Sequence, residues 1–274
     1  MTQTQEQQKQ KPKHKTELTR EQYLDCFIKD CNKYLFNQSS GESLIARNYL
    51  KDRGFKNETI NFHKVGYCPR NKFVDSILWD DGSSKDGPKS LYNFIRGHII
   101  VPIYDEFGEP TALATRKPSK EKGNSWWNLP FKKGNHIYLF SKSREFVFNK
   151  NKIYLLEGYV DGLILYQEGL KEVGVLMGTK FTLRMVGLIA RYCDSVCVCM
   201  DTDENESGQY ARNKIIDTLH TIGSCSTISV INLPLKVDPD EYVLKNGLKQ
   251  FLSLEETLTK DQLNKIHQEV KDSK

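Results

Sequence analysis

The chain has 274 residues, enough for one large or two modest domains, and sets 40 basic against 35 acidic side chains for a net charge of +5. That mild basic excess permits a nucleic-acid partner without requiring one, and no apolar run approaches the ~18 residues of a membrane-spanning helix, so no membrane role is expected. Seven cysteines, an odd count with no secretory leader before them, read as reduced thiols of a cytoplasmic protein rather than as a disulfide framework.

Residues 1–16 are rich in Gln and Lys and are expected to form a disordered basic arm. Residues 17–150 read as a mixed α+β lobe. Tyr23, Cys26, Phe27, Cys31, Tyr34 and Leu35 recur at helical spacing, and a second helix over 42–53 is expected to turn Leu44, Ile45 and Tyr49 inward before Gly54 ends it. No Cys/His set has zinc-ligand spacing, so no zinc is expected. A short helix over 73–79 and an exposed loop over 80–90 follow. His98–Tyr104 and Pro110–Arg116 read as two strands joined by a turn at Gly108. The next stretch, 117–133, reads as a binding loop. Lys117, Lys120, Lys122, Lys132 and Lys133 surround Trp126 and Trp127, the mixture of charge and aromatic faces that single-stranded nucleic acid uses. Core tryptophans are the alternative for either ring.

The chemistry concentrates in 151–252. Three runs read as buried strands, 152–156, 195–200 and 227–233, with segments of helical pattern over 160–167, 181–192 and 209–219 between and beside them. Strand alternating with helix predicts an α/β parallel sheet covered on both faces. Each strand leads into carboxylates: Glu157 to Asp161 (E-G-Y-V-D), Asp201 with Asp203 (D-T-D), and Asp238 with Asp240 (D-P-D-E). In such a sheet ligands bind beyond the carboxyl ends of the strands. In an extended segment residues i and i+2 face the same way, so each Asp pair is expected to present two oxygens to one ion, with Pro239 holding the second pair extended. Carboxylates gathered in one crevice repel unless cations neutralise them, and hard oxygen donors select Mg²⁺ or Mn²⁺. Two such ions suit in-line phosphoryl transfer. Residues 242–252 and 255–270 are expected to be helical, with 253–274 as a C-terminal helix.

The order E-G-Y-V-D, V-L-M-G-T (175–179), D-T-D…G-Q-Y-A and D-P-D-E-Y-V resembles the TOPRIM domain of DnaG-type DNA primases, and the D-P-D-E element favours primases over other proteins sharing that domain. The string from Ala46 to Pro69, with its G-Y-C-P end, resembles the opening of the same family's polymerase core. The resemblance implies a TOPRIM-like lobe joined to a mixed lobe, and a DNA-directed RNA primase. It implies Glu157, Asp201, Asp203, Asp238 and Asp240 as metal-gathering residues, with Glu157, Asp201 and Asp203 catalytic. It also implies Arg96 and Arg116 on a template- and nucleotide-receiving hairpin, and matches Asn128 and Lys133 in S-W-W-N-L-P and K-K-G-N-H-I-Y, beside Lys132 and the tryptophans. Ser125 stands where the family commonly has lysine, and Glu204–Ser207 lengthen the second motif's loop. The implied partners are a single-stranded DNA template, nucleoside triphosphates, a replicative helicase and a single-strand-binding protein. The family's zinc-binding and helicase-binding modules are not seen, which suggests a reduced, phage- or mobile-element-type form. Two rivals remain: a TOPRIM nuclease, and a non-catalytic single-strand-binding accessory.

Overall fold

The computed structural model describes residues 19–37, 41–70, 94–119, 125–200 and 206–273. The basic arm, the expected helix over 73–79 with its following loop, Lys120, Lys122, Asp201 and Asp203 lie outside the described residues.

Among the described residues two sheets carry the fold. The first is antiparallel, in the order β1 (Gly66–Tyr67), β2 (Ile99–Tyr104), β3 (Pro110–Arg116), β4 (Trp127–Asn128). The β2–β3 hairpin closes as expected: Asp105 Oδ1 accepts from the N–H groups of Phe107 and Glu109, both at 2.9 Å, and Gly108 takes φ +95°. The stretch expected as a binding loop, 117–133, includes β4, whose Asn128 and Trp127 pair with Ala114 and Thr115.

The helix Arg20–Leu35 packs beside this sheet and starts at a capping box in which Thr19 and Gln22 satisfy each other's backbone N–H groups. Its buried stripe runs through Leu24, Phe27, Ile28, Cys31 and Leu35, so the expected face is rotated, and Cys26 is exposed. The helix Gly41–Asp52 corrects the expectation more sharply. Leu44 and Ile45 point outward, and the buried stripe is Ser43, Ala46 and Leu50. Arg47 fixes that rotation by donating to the Leu35 carbonyl at 2.6 Å.

The second sheet has the order β6 (Val173–Val175), β5 (Lys152–Leu156), β7 (Ser195–Cys199), β8 (Thr227–Ile231), β9 (Glu255–Thr257). The first four strands are parallel, as their near-continuous apolar character demands. β9 is antiparallel to β8 and corrects the helix expected from Glu255 onward. Glu255 accepts from Lys152 Nζ, Tyr154 Oη and Ser229 Oγ, which holds this segment extended. The closing helix begins only at Lys260, behind a second capping box of Thr259 and Gln262. The helix expected over 242–252 is also divided. It begins earlier, as Pro239–Asn246, and breaks at Gly247, where φ is +86°.

From β5 the chain moves out to β6 and then returns to the other side of β5 for β7. The strand order therefore reverses between β5 and β7, and the crevice beyond their carboxyl ends is the binding position that such a sheet creates. One apolar core runs through both sheets, with Val101 and Ile103 of β2 in the same cluster as Leu156 of β5 and Cys199 of β7. No helix among the described residues is long and apolar enough to cross a membrane.

Candidate metal and nucleic-acid site

The pairing of Leu156 with Cys199 brings the residues after β5 and β7 to the same edge of the sheet. Glu157, half-buried, stands directly after β5. Met200 stands at the matching position after β7, and Asp201 follows it in the sequence. The next helix, Tyr159–Gln167, is buried nearly all round and takes Gly158 as its N-cap. A Cβ at Gly158 would lie 2.3 Å from Asp161 Oδ2, so any larger residue there would have to shift the Asp161 carboxylate.

Asp238 and Asp240 do not form the expected extended pair. Pro239 occupies the first helical turn, where its missing N–H costs nothing, and Asp238 is the N-cap with ψ 151°. Two residues apart on a helix, side chains diverge by about 200°. Asp238 is exposed, whereas Asp240 is 2% exposed, with Oδ2 accepting from Arg53 Nη2 at 2.9 Å. The Asp240 N–H donates to Asp161 Oδ1 at 3.2 Å, joining the third acidic motif to the first. Asp240 Oδ1 is buried with no hydrogen-bond partner among the described residues.

Lys133 follows β4 in the chain and comes within the electrostatic reach of Glu157. It opens a 3-10 turn (Lys133–Asn135) held by Thr182, whose hydroxyl donates to the Gly134 carbonyl at 2.6 Å. Its ammonium lies where a Cβ at Gly178 would come within 3.0 Å. Burial disfavours the Lys133 charge and leaves its pKa below the ordinary value, although Glu157 pulls the other way. Met177 and Gly178 both take positive φ, 62° and 134°, so the V-L-M-G-T turn bends beside that ammonium. Lys132, next to it, is exposed.

The basic and aromatic residues lie on the antiparallel sheet. Arg116 at the end of β3 sets its guanidinium 5.9 Å from the Trp126 ring centre, within cation–π range, while its Nε is buried without a partner among the described residues. Trp126 is half-buried and tilts against Tyr159 at 5.4 Å. Trp127 is half-buried against the core and against Phe94 at 4.2 Å. Neither ring is fully sequestered, and neither stands free. Asn128 Oδ1 accepts from the Tyr159 hydroxyl at 2.6 Å. Arg96 is exposed and donates to the Arg70 carbonyl at 3.3 Å.

The structure therefore sets Lys133 within the electrostatic reach of Glu157, joins Asp161 to Asp240, and ties Asn128 to Tyr159. Among the described residues no three metal-ligating side chains converge into a complete site. The donors present are carboxylate oxygens, the set that suits Mg²⁺ or Mn²⁺. The sequence reading gave no role to Arg53 or Tyr159, and it counted Asp161 in the first acidic motif without placing it among the metal-gathering residues. A basic residue placed immediately before the Gly54 helix stop was the available sign for Arg53.

Two family models match consecutive parts of the chain: DNA primase catalytic core, N-terminal domain, over residues 32–144, and Toprim-like, over residues 154–243. The chain belongs to the DnaG-type primase family. The DNA primase of Rickettsia typhi is 30% identical over 240 residues, covering 81% of this chain and 39% of that protein, so the chain spans well under half of that relative's length. In three dimensions the E. coli primase catalytic core matches with a TM-score of 0.71 at 23% identity, covering 86% of this chain and 79% of that one. A DnaG primase catalytic domain bound to single-stranded DNA matches at 0.70, with 23% identity and coverage of 85% and 79%. These likenesses establish a primase-core fold.

Proposed function

We propose that this chain synthesises short RNA primers on single-stranded DNA by divalent-metal-dependent nucleotidyl transfer. The observation that carries the proposal is that Lys133 lies within the electrostatic reach of Glu157, which stands at the crevice where the strand order reverses. In this reading residues 17–150 receive template and nucleotide, and residues 151–252 gather the metal.

Glu157, Asp201, Asp203 and Asp238 would hold Mg²⁺ or Mn²⁺, with Asp240 behind them on Arg53. When bound, the metal lowers the pKa of an attacking hydroxyl and neutralises the triphosphate. Lys133, whose charge is only partly compensated, binds a phosphate oxygen of the incoming nucleotide and holds charge on the departing pyrophosphate. Arg116 offers a planar fork to phosphate that lysine would not reproduce. The outer parts of the Trp126 and Trp127 rings supply stacking faces for template bases, each contact worth about 1–3 kcal/mol. Asn128, fixed by Tyr159, orients the nucleotide or template beside them. A replicative helicase and a single-strand-binding protein are the partners this cytoplasmic activity calls for.

The test is primer synthesis on single-stranded DNA with labelled ribonucleotides and Mg²⁺ or Mn²⁺, comparing wild type with Asp201→Asn/Asp203→Asn. Product from the wild type alone is expected. DNA cleavage without nucleotides would point instead to a nuclease. Equal DNA binding by both proteins, with no product even when a cognate helicase is added, would point to an accessory protein.

A further inference from the structure

The turn that ends the Gly41–Asp52 helix reaches across to the parallel-sheet lobe and touches the helices of two acidic motifs. Arg53 Nη2 donates to Asp240 Oδ2 at 2.9 Å. Gly54 takes φ +83°, and a Cβ there would meet Leu244 Cδ1 at 2.5 Å, so the turn lies directly against the Pro239–Asn246 helix. The Gly54 carbonyl accepts from Gln167 Nε2 at 3.0 Å, the Lys56 N–H donates to Gln167 Oε1 at 2.8 Å, and Lys56 Nζ pairs with Glu168 at 2.8 Å. The Tyr159–Gln167 helix is thus gripped at its C-terminal end by this turn. At its N-terminal end Asp161 accepts from the Asp240 N–H, and Glu157 stands two residues before that helix's first residue.

Asp240 is buried in a place where a carboxylate is costly unless paired. Burial works against the Arg53 charge, and the Asp240 carboxylate more than offsets it, leaving the guanidinium above its ordinary range, with Asp161 adding to the effect. Buried ion pairs contribute little net stability compared with apolar packing, and their attested use is to fix one arrangement among alternatives.

We propose that Arg53 is a positioning residue for the acidic site: through Asp240 and Asp161 it sets where Asp238 and Glu157 stand, and Asp240 serves as the anchor of this link rather than as a metal ligand. Docking of the N-terminal lobe then assembles the metal site. This rests on the proposed function for its metal arm alone.

The sign of one measurement separates the link from simple electrostatics. Removing a cation near an acidic cluster by itself tightens divalent-ion binding, because less positive charge opposes the ion. Loss of positioning loosens it, on the order of 10-fold for residues that orient metal ligands. Mn²⁺ binding to the whole chain, followed by electron paramagnetic resonance, is therefore compared among wild type, Arg53→Gln, Arg53→Lys, Asp240→Asn and the Arg53→Gln/Asp240→Asn double variant, with thermal melts on each. The expected result is weaker Mn²⁺ binding in both single Gln and Asn variants, no further loss in the double variant, and partial recovery in Arg53→Lys. Unchanged or tighter binding in Arg53→Gln would overturn the proposal, as would losses that multiply in the double variant. If Arg53→Gln fails to fold, Arg53→Lys and Asp240→Asn carry the comparison: weakened binding in both sustains the proposal, and a loss confined to Asp240→Asn, the behaviour of a direct ligand, overturns it. A wild type that binds no Mn²⁺ overturns the functional reading, and the melts then judge the link, additive losses refuting it and non-additive losses sustaining it.

Discussion

The Tyr159 hydroxyl donates to Asn128 Oδ1 at 2.6 Å, and so ties the edge strand of the antiparallel sheet to the helix that begins two residues after Glu157. Tyr159 is 3% exposed and also packs edge-on against Tyr138 at 5.0 Å, so its ring is fixed by the core while its oxygen does the tethering. Tyr159→Phe keeps the packing and removes the tether. Net loss should be about 1 kcal/mol, or ~2–4 °C in melting temperature for a protein of this size. If Asn128 orients the nucleotide, KM for nucleotide rises in addition to this melting shift. A melt shift without any change in KM would make Asn128 a structural residue.

Gly158 is a sharper probe of the acidic site. Its φ of −97° is open to any residue, so an added methyl acts through space alone, 2.3 Å from Asp161 Oδ2. Gly158→Ala shifts the Asp161 carboxylate, which accepts from the Asp240 N–H through its other oxygen. Sub-ångström errors of this kind cost on the order of 10- to 100-fold in rate. Primer synthesis should fall by that order with little change in stability, and wild-type rates would show that Asp161 tolerates movement.

The parallel sheet was legible because β5, β7 and β8 are short unbroken apolar runs, each followed by acids, a pattern with few other readings. The hairpin was legible for the same reason at Gly108. What the sequence hid was decided by distant partners. Glu255 is extended because Lys152, about a hundred positions earlier, holds its carboxylate. Leu44 and Ile45 face outward because Arg47 is tied to the Leu35 carbonyl. The Asp238–Asp240 pair was misread locally: Pro favours an extended predecessor, which it has, but it also opens helices. The position of Glu157 directly after β5 was legible, whereas the commitment of Asp240 to Arg53 depends on a partner 187 positions earlier in the chain.

Glu255 offers a test of how the edge strand is held. Its carboxylate accepts from Lys152 at 2.5 and 2.6 Å, from Tyr154 at 2.9 Å, and from Ser229. Burial opposes its ionisation, but the hydrogen bonds, led by Lys152, prevail and hold its pKa below the usual glutamate value. A depressed carboxylate stabilises the fold above its unfolded pKa, and that contribution is lost as pH falls through the folded value. Glu255→Gln should cost about 1–3 kcal/mol at neutral pH, discounted toward the lower end because the group is partly exposed. It should also flatten the stability profile below pH ~4.3, the unfolded value for glutamate. Denaturant titrations at pH 7 and pH 3.5 measure both.

His63 governs a different window. It is 4% exposed, edge-on to Phe62 and Tyr166 at 4.9 Å each, and its Nε2 is buried with no partner among the described residues. Burial, with the fields of Lys142 and Lys171 behind it, pushes its pKa down to about 3. Below pH ~6.5 the unfolded chain therefore takes up a proton that the folded chain refuses, so stability falls as pH drops, by up to about 1.4 kcal/mol per pH unit until the folded value is reached. Between pH 7 and pH 5 this amounts to about 2 kcal/mol, in a range where Glu255 is still ionised. His98 and His136, lowered more weakly by burial, add a smaller slope of the same sign. His63→Phe preserves the ring contacts and removes the titration. Its stability should change much less between pH 7 and pH 5 than that of the wild type. Equal losses in the two proteins would mean that His63 accepts its proton in place, with the cavity of about 10 Å³ beside Tyr104, Ser141 and Lys142 admitting the water needed to solvate it.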